Sequence, residues 1–368
     1  MAGRGSFCRR PATGRKPHGN EPLKEMVQMQ MIKVEDAVGS VLCHDITRIV
    51  PGEAKGPAFK KGHIVSAQDI PELLKLGKEH LYVWELRKGF VHENDAGLRI
   101  ARALQGQGLS LTEPSEGKVK LVAETDGLCV IDEDRLLRIN MLEEIAAATI
   151  SNARPVKKGT VVAGVRVIPL VIAEEKLAQA EALAPAGGVI AIKPFRSYKV
   201  GVITTGSEVY HGRIEDKFGP VVREKVEAFG CRVIEHIIVP DDVERISGAI
   251  RKLLASGAEM ILTTGGMSVD PDDVTPTAIR AAGADIVTYG APVLPGAMLM
   301  VAYMGQVPIL GLPGCVMYHK TTVFDLVLTQ VLTGETVTRA MIAKLGMGGL
   351  CLECEVCRYP HCSFGTGA

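Results

Sequence analysis

Residues 261–276 constrain the fold of this chain most strongly, and they read Ile-Leu-Thr-Thr-Gly-Gly-Met-Ser-Val-Asp-Pro-Asp-Asp-Val-Thr-Pro. The apolar run at the start predicts a buried strand. Gly265 and Gly266 lack a Cβ atom, so the backbone can turn there and a ligand can approach closely. Asp272 and Asp273 precede a helix start, where a carboxylate can cap the helix and where phosphate often binds. The stretch therefore predicts a ligand-binding turn, with ordinary helix capping as the alternative, and a side chain at position 266 is expected to fill ligand space.

Two further stretches repeat this design. Lys199 to Glu208 is an apolar run that ends in Thr-Thr-Gly-Ser-Glu, and Val307 to Cys315 ends in Gly-Leu-Pro-Gly ahead of a predicted helix. Asp241 and Asp242, which lie between these stretches in the chain, are predicted to cap a helix that runs to Ala255. Ligands of open α/β sheets bind outside the carboxyl ends of the strands. The sequence thus predicts an α/β domain, an open and mostly parallel sheet with helices on both faces, whose glycine turns meet at one edge.

Taken in order, these three motifs resemble those of the molybdopterin-binding domain, which molybdopterin adenylyltransferases and molybdopterin molybdenumtransferases share. The resemblance covers residues 197–335. It implies molybdopterin or adenylylated molybdopterin as the ligand, Mg²⁺ in the pocket, and molybdate as a second small-molecule partner. It implies catalytic and metal-binding roles for Asp273 and Glu208. The other ligand-binding residues that it implies are Thr205, Gly206, Ser207, Thr264, Gly265, Gly266, Ser268, Pro313 and Gly314.

The chain also departs from the molybdenumtransferase pattern at two places. Cys315 follows Gly-Leu-Pro-Gly where the family often has Asn, and the early Asp-Gly-Tyr-Ala motif is not found, with only a faint echo of it in Thr-Asp-Gly-Leu-Cys at residues 125–129. The expected function is molybdenum cofactor biosynthesis, as a transferase that binds the pterin and supports molybdate insertion with Mg²⁺. The alternatives are a non-catalytic molybdopterin carrier and a molybdopterin adenylyltransferase.

The regions outside the binding domain carry weaker signals. Residues 1–30 are basic and poor in apolar side chains, which predicts a disordered tail. Residues 31–90 are predicted to form an α+β region, and residues 91–187 a mixed region with a small β unit. Within that region, residues 141–151 are predicted to be helical.

Charge and cysteine usage limit the function classes. Lys+Arg and Asp+Glu each number 42, so the chain has no overall basic field for nucleic acid or an anionic membrane. No apolar run reaches the roughly 18 to 20 residues that a transmembrane helix needs. Scattered cysteines without a secretory segment favour a reducing, cytoplasmic location. A homo-oligomer is expected.

A cluster of cysteines lies in residues 345–368, predicted to be a metal-binding tail. Cys351, Cys354, Cys357 and Cys362 have Cys-x₂-Cys-x₂-Cys-x₄-Cys spacing. Four thiolates suffice for tetrahedral Zn²⁺ or for an iron–sulfur cluster. Zn²⁺ is the first expectation, a cluster the second, and a mobile reduced tail the alternative.

Overall fold

The structure, a computed structural model, describes residues 27–48, 56–86, 89–115, 117–268, 270 and 273–367. The chain divides into two compact units: residues up to Glu93 with Pro169–Glu175, and Asn94–Ile168 with the chain from Lys176 onward. Most of the tail predicted for residues 1–30 lies outside the described residues. Its last part, residues 27–30, belongs to a strand, so the tail assignment is wrong there.

The regular elements are numbered in chain order. The strands are β1 Val27–Lys33, β2 Val41–Leu42, β3 Ile46–Arg48, β4 Gly56–Phe59, β5 His80–Leu86, β6 Phe90–His92, β7 Leu109–Leu111, β8 Val119–Ala123, β9 Gly127–Ile131, β10 Ile145–Thr149, β11 Arg154–Val156, β12 Val161–Val167, β13 Val171–Ala173, β14 Ile190–Pro194, β15 Lys199–Thr205, β16 Arg232–Val239, β17 Met260–Thr264, β18 Asp285–Tyr289, β19 Met300–Met304 and β20 Val307–Leu312. The helices are α1 Ile70–Lys75, α2 Glu93–Leu104, α3 Glu133–Asn140, α4 Glu174–Leu183, α5 Ser207–Tyr210, α6 Phe218–Glu227, α7 Val243–Ala255, α8 Thr275–Ala281, α9 Val323–Val331 and α10 Arg339–Lys344.

The first unit is a small α+β body. Strands β1, β5 and β2 form an antiparallel sheet, and the pairs β3–β4 and β13–β6 form two separate two-stranded sheets. Leu42, Leu73 and Leu81 are fully or almost fully buried in its core. This unit contains the short segment 169–175, which lies far along the chain from the rest.

Residues 94–168 contribute a β unit to the second body. One of its sheets has the order β10-β12-β8-β7, and a second, β11-β9-β14, is completed by β14 from residues 190–194. The helix predicted for residues 141–151 is wrong, because strand β10 lies there and pairs antiparallel with β12. The sequence Ile-Ala-Ala-Ala-Thr has good helix propensity in isolation, but pairing with a neighbouring strand overrides such a weak preference.

The largest sheet belongs to residues 199–312 and has the order β16-β15-β17-β20-β19-β18. The first four strands are parallel, β19 is antiparallel to them, and β18 pairs antiparallel with β19 and so runs in the direction of the first four. The prediction of an open, mostly parallel sheet is confirmed. Because the four parallel strands share one direction, the loops after β15, β17 and β20 leave the sheet at the same edge.

Both faces of this sheet are covered by helices. Alternate residues of a strand point to opposite faces, so Val202 and Leu262 pack with α6 and α9, whereas Ile203 and Ile261 pack with α7 and α8. Strands β15, β17 and β20 are therefore apolar on both faces, as buried parallel strands are. Among the described residues, no helix combines the length and apolar character that a membrane span needs.

The C-terminal segment, residues 345–367, is largely irregular but not detached. Its Leu350 forms a bridge with Leu294, and Phe364 is 2% exposed within the same core cluster as α9. Arg154 of β11 donates hydrogen bonds to the carbonyl oxygens of Phe364 at 2.6 Å and Cys362 at 2.5 Å. The cysteine-rich segment is thus anchored to the second unit by an apolar side chain and by a buried guanidinium.

Candidate ligand-binding site

The loops after β15, β17 and β20 surround two adjoining cavities of about 720 and 480 Å³. Gly265, Gly266 and Asp273 line both cavities, and so do Met317 and Tyr318 from the segment after β20. The two cavities together are called the ligand cavity below. The fold therefore brings the three predicted glycine turns to one place.

Most of the residues predicted from the resemblance line the ligand cavity: Thr205, Gly206, Glu208, Gly265, Gly266, Ser268, Asp273, Pro313 and Gly314. Two others lie behind it. The side chain of Thr264 is fully buried and donates to the carbonyl of Ile203 at 3.4 Å, which ties β17 to β15. The backbone N–H of Ser207 donates to Asp241 Oδ2 at 2.8 Å. Both residues hold the cavity loops in place instead of facing the cavity.

The Gly-Gly turn is required by a close contact between two loops. Gly265 has φ +86°, and a Cβ atom there would lie 2.2 Å from the carbonyl oxygen of Thr205. The hydroxyl of Thr275 donates to the carbonyl of Gly265 at 3.0 Å and lies 3.2 Å from the hydroxyl of Thr205. These contacts fasten the turn after β17 to the end of β15.

The expectation that a side chain at Gly266 fills ligand space stays a prediction, but the same side chain would also disturb the fold. A Cβ atom at this position, where φ is +54°, would lie 2.7 Å from Thr275 Oγ1 and 3.3 Å from Thr205 Oγ1. A substitution there disturbs the contacts between loops before it meets a ligand. Gly314 is different, because nothing lies within 4 Å of its added Cβ.

The wall of the larger cavity is acidic. Its carboxylates are Glu208, Glu215, Asp216, Asp241 and Asp273. Among the described residues that line this cavity, Lys217 is the single basic side chain. Oxygen donors of this kind suit a hard cation such as Mg²⁺, which is usually bound by one or two carboxylates together with substrate phosphates.

Asp273 does not cap the helix that follows it. Helix α8 begins after Val274 without a side-chain capping bond, and Asp273 Oδ2 instead accepts a bond from the N–H of Asp270 at 3.3 Å. Asp272, the other candidate cap, lies outside the described residues. The ordinary capping alternative is therefore wrong for Asp273, whose carboxylate faces the cavity.

Asp216 was missed by sequence reasoning. Its carboxylate accepts bonds from the N–H groups of Phe218 and Gly219 at the start of α6, and from the hydroxyl of Thr204 at 3.2 Å. His236 Nε2 lies 2.9 Å from the same hydroxyl, and burial lowers the pKa of His236 although Asp216 opposes the shift. An Asp two residues before a helix start is the sequence signal that could have found it.

Asp241 differs from its neighbour Asp242. Asp242 caps α7 by accepting from the N–H of Arg245 at 2.8 Å, as predicted. Asp241 is not a cap, so that part of the prediction is wrong: it accepts from the N–H of Ser207 and lines the ligand cavity. Two adjacent aspartates thus have separate roles, one in the helix and one in the cavity.

Tyr289 steadies the loop after β17. Its hydroxyl donates to the carbonyl of Met267 at 2.8 Å and lies 3.2 Å from the carbonyl of Ser268. Burial raises the pKa of Tyr289, and the charge of Asp273 raises it further. The phenol therefore stays protonated near neutral pH and remains a hydrogen-bond donor to this loop.

The four C-terminal cysteines line a third cavity of about 370 Å³, called the cysteine cavity below. Cys354 and Cys357 are exposed, whereas Cys351 and Cys362 are half-buried. Within the described part of the chain, no three Cys, His, Asp or Glu side chains are gathered closely enough to hold a metal ion. The sequence-predicted thiols therefore share one cavity without forming a closed ligand set.

Two segments of the chain match known domain families. Residues 201–334 match a family described as a probable molybdopterin binding domain. Residues 31–85 match a domain of unknown function. The first match spans the large sheet and every loop of the ligand cavity, and the second lies within the first compact unit.

Curated relatives with three different names match part of this chain. A molybdopterin molybdenumtransferase from Synechococcus elongatus is 29% identical over 128 residues, 33% of this chain and 32% of that protein. A molybdopterin adenylyltransferase from Pyrococcus furiosus is 35% identical over 88 residues, 23% of this chain and 50% of that protein. A CinA-like protein from Citrifermentans bemidjiense is 35% identical over 89 residues, 24% of this chain and 21% of that protein. The chain thus matches half or less of each relative.

Among solved structures, the molybdopterin biosynthesis enzyme MoaB from Thermus thermophilus aligns with 22% identity and a TM-score of 0.31, covering 38% of this chain and 98% of that one. The family match and the curated relatives confirm the resemblance seen in the three sequence motifs. Residues 201–334 of this chain are therefore a domain of the molybdopterin-binding type.

Proposed function

We propose that the chain acts in molybdenum cofactor biosynthesis by binding molybdopterin or adenylylated molybdopterin in the ligand cavity, and that it supports molybdate insertion with Mg²⁺. The single observation that carries the proposal is the meeting of three strand-ending turns of one motif set around one acidic cavity. The match of residues 201–334 to a molybdopterin-binding family supports the identity of the ligand.

The acidic wall explains why a cation belongs in the proposal. Molybdopterin carries a phosphate, and like charges repel strongly where water is partly excluded. A phosphate beside Glu208, Asp241 and Asp273 is favourable only if a cation lies between them. Asp273 and Glu208 are the proposed Mg²⁺ ligands, because both line the cavity beside glycine turns that admit a ligand closely.

The proposed roles of the chain's own residues follow from their positions. The turns at Gly206 and Gly265 bring the backbone close to the phosphate groups, and Ser268, Pro313 and Gly314 bound the other end of the cavity. Bound Mg²⁺ supplies charge neutralisation at the phosphoanhydride of the adenylylated ligand. The fixed carboxylates hold that charge in place without rearranging during the reaction.

Two other functions compete with molybdate insertion. A carrier role is favoured by Cys315, which lines the ligand cavity where related transferases often have Asn. Adenylyl transfer is favoured by the relative from Pyrococcus furiosus, half of which aligns with this chain. All three functions use the same cavity, so they differ in the reaction and not in the site.

One experiment separates these functions. Purified protein is mixed with adenylylated molybdopterin, Mg²⁺ and molybdate, and AMP release is followed by chromatography. Molybdate-dependent AMP release supports the proposal, whereas binding without release favours the carrier. Adenylylation of molybdopterin from ATP favours the adenylyltransferase. A protein that binds neither form of the pterin contradicts all three.

We further propose that the C-terminal cysteines hold Zn²⁺, with an iron–sulfur cluster as the second candidate. Four thiols within a dozen residues close on one ion through short loops and at little entropy cost. Elemental analysis of anaerobically purified protein tests this: near-stoichiometric zinc supports the first choice, and iron with sulfide supports the second. Neither metal, with all four thiols reacting freely, contradicts both. A homo-oligomer is also proposed, and light scattering in solution tests it.

A further inference from the structure

The ligand cavity and the cysteine cavity are separated by one short stretch of chain. The cysteine segment is defined as residues 350–364. Resting on the proposed function, we infer that molybdopterin in the ligand cavity and a thiophilic metal ion on the cysteines of this segment bind with positive coupling. Each ligand then raises the affinity of the protein for the other.

The connection is the segment 315–321, called the connecting segment below. Its beginning, Cys315 and Met317, lines the ligand cavity. Its end, His319 to Thr321, lines the cysteine cavity. Tyr318 lies between them, is 81% exposed and lines both cavities. If a ligand in one cavity displaces this segment, the wall of the other cavity moves as well.

The connecting segment is held together internally and is fixed to the domain. The N–H groups of Tyr318 and His319 both donate to the carbonyl of Cys315 at 3.0 Å. Lys225 donates to the carbonyl of Lys320 at 2.7 Å and forms a largely buried ion pair with Asp325. A segment tied in this way shifts as a unit, so a contact at Cys315 is transmitted to Thr321.

The far end of the connecting segment touches a thiol directly. Thr321 Oγ1 lies 3.3 Å from Cys357 Sγ. Cys357 is exposed and belongs to the irregular run between two fixed points. Those points are the backbone bond from the Cys351 N–H to the carbonyl of Leu294 at 2.8 Å, and the bond from Arg154 to the carbonyl of Cys362. Only the intervening loop must close for the thiols to gather around an ion.

The coupling is expected to be positive because the connecting segment is fixed whereas the cysteine loop is irregular. The loop that carries Cys354 and Cys357 is irregular and its side chains are exposed, so a metal ion must order it and reduce its conformational entropy. A ligand that packs against the exposed Tyr318 restricts this end of the connecting segment further, and with it the contact of Thr321 with Cys357, so part of the entropy loss has already occurred when the metal ion binds. Two sites that order a common element bind with positive cooperativity even without a large structural change.

The test uses the full-length protein with Co²⁺ as the metal probe, under anaerobic conditions. Co²⁺ is titrated with and without saturating molybdopterin, and binding is followed by the thiolate-to-cobalt absorption band. We expect the Kd for Co²⁺ to fall at least about 5-fold when molybdopterin is present, within the usual range of such couplings. Linkage requires the Kd for molybdopterin to fall by the same factor when Co²⁺ is bound.

Two variants make the result specific. Thr321→Val removes the hydroxyl beside Cys357 and should reduce the coupling factor while leaving molybdopterin affinity without metal unchanged. Thr333→Val is the matched control, because Thr333 and Thr321 are both 8% exposed, and the hydroxyl of Thr333 bonds to the backbone of Gln330 and Glu335 without lining either cavity. Replacing all four cysteines by serine measures any Co²⁺ that the sulfur atoms of the pterin bind by themselves.

The outcomes separate this inference from the proposed function. Equal Co²⁺ affinities with and without molybdopterin overturn the inference, as does full coupling in Thr321→Val or a loss of coupling in Thr333→Val. In those cases binding of molybdopterin alone leaves the proposed function intact. A protein that fails to bind molybdopterin without metal overturns the proposed function and this inference together. A protein that binds molybdopterin but takes up no Co²⁺ overturns the inference alone.

Discussion

At the residue scale, Gly314 allows the cavity to be filled without disturbing the fold. It lines the ligand cavity, has no φ in the left-handed region, and has open space around its missing Cβ. Gly314→Val should weaken molybdopterin binding at least tenfold, measured by fluorescence titration, and should change the free energy of unfolding by less than about 1 kcal/mol. Gly248→Val on helix α7 is the control, because a Cβ there also meets open space and does not line the cavity. Unchanged affinity in Gly314→Val would place the ligand elsewhere.

Asp273 tests the proposed cation. Asp273→Asn removes the charge that Mg²⁺ needs but keeps an acceptor for the N–H of Asp270, so stability should stay within about 1 kcal/mol while Mg²⁺-dependent AMP release falls strongly. Asp242→Ala should lower stability without affecting AMP release. It removes the α7 cap at a cost of about 0.5 to 2 kcal/mol and leaves AMP release unchanged. Full turnover in Asp273→Asn would contradict the metal role.

The residues that could be predicted from sequence are those that lie in contiguous motifs. Thr205, Gly265 and Gly314 were found because each belongs to a strand-ending turn with its neighbours. Asp216 and Tyr318 were not found, because they enter the cavity from segments outside the motifs. Thr264 belongs to the same motif but is fully buried, so its predicted contact with the ligand stays a prediction.

At the element scale, the connection between β11 and the C-terminal segment depends on one side chain. Arg154→Met keeps most of the apolar stem but removes both donors to the carbonyls of Cys362 and Phe364. The segment should loosen, and the half-buried Cys362 thiol should react faster with a thiol reagent. Arg135→Met, at an exposed ion pair with Asp132, should leave that rate unchanged. Equal rates in both variants would mean that apolar contacts alone anchor the segment.

Elements were predictable where hydrophobic pattern and long-range pairing agree. Strands β15, β17 and β20 are apolar on both faces and end in glycine turns, so their pattern has one interpretation. Strand β10 is the opposite case, because its Ala-rich sequence favours a helix and only its partner β12 makes it a strand. Pairing between segments far apart in the chain is a property that no local window contains.

At the scale of the whole molecule, the C-terminal segment completes the core of the binding domain. Phe364 is 2% exposed and packs in the cluster that contains α9. Phe364→Ala should lower the free energy of unfolding by about 3 to 5 kcal/mol in a denaturant titration. Leu352→Ala, at a side chain 71% exposed, should change it by less than about 0.5 kcal/mol. Equal effects would mean that the segment is dispensable to the core.

The ligand cavity also determines when during folding a ligand can act. Its walls come from the ends of β15, β17 and β20 and from the connecting segment, which are distant in sequence and meet only when the parallel strands have paired. A ligand needs all of these walls at once, so its contacts form only after the strands have paired, and contacts absent from the transition state alter the unfolding rate and not the folding rate. Molybdopterin should therefore slow the unfolding of the second unit in stopped-flow measurements without accelerating its refolding. In a cell, the bound form would then be a long-lived species whose lifetime depends on the supply of pterin.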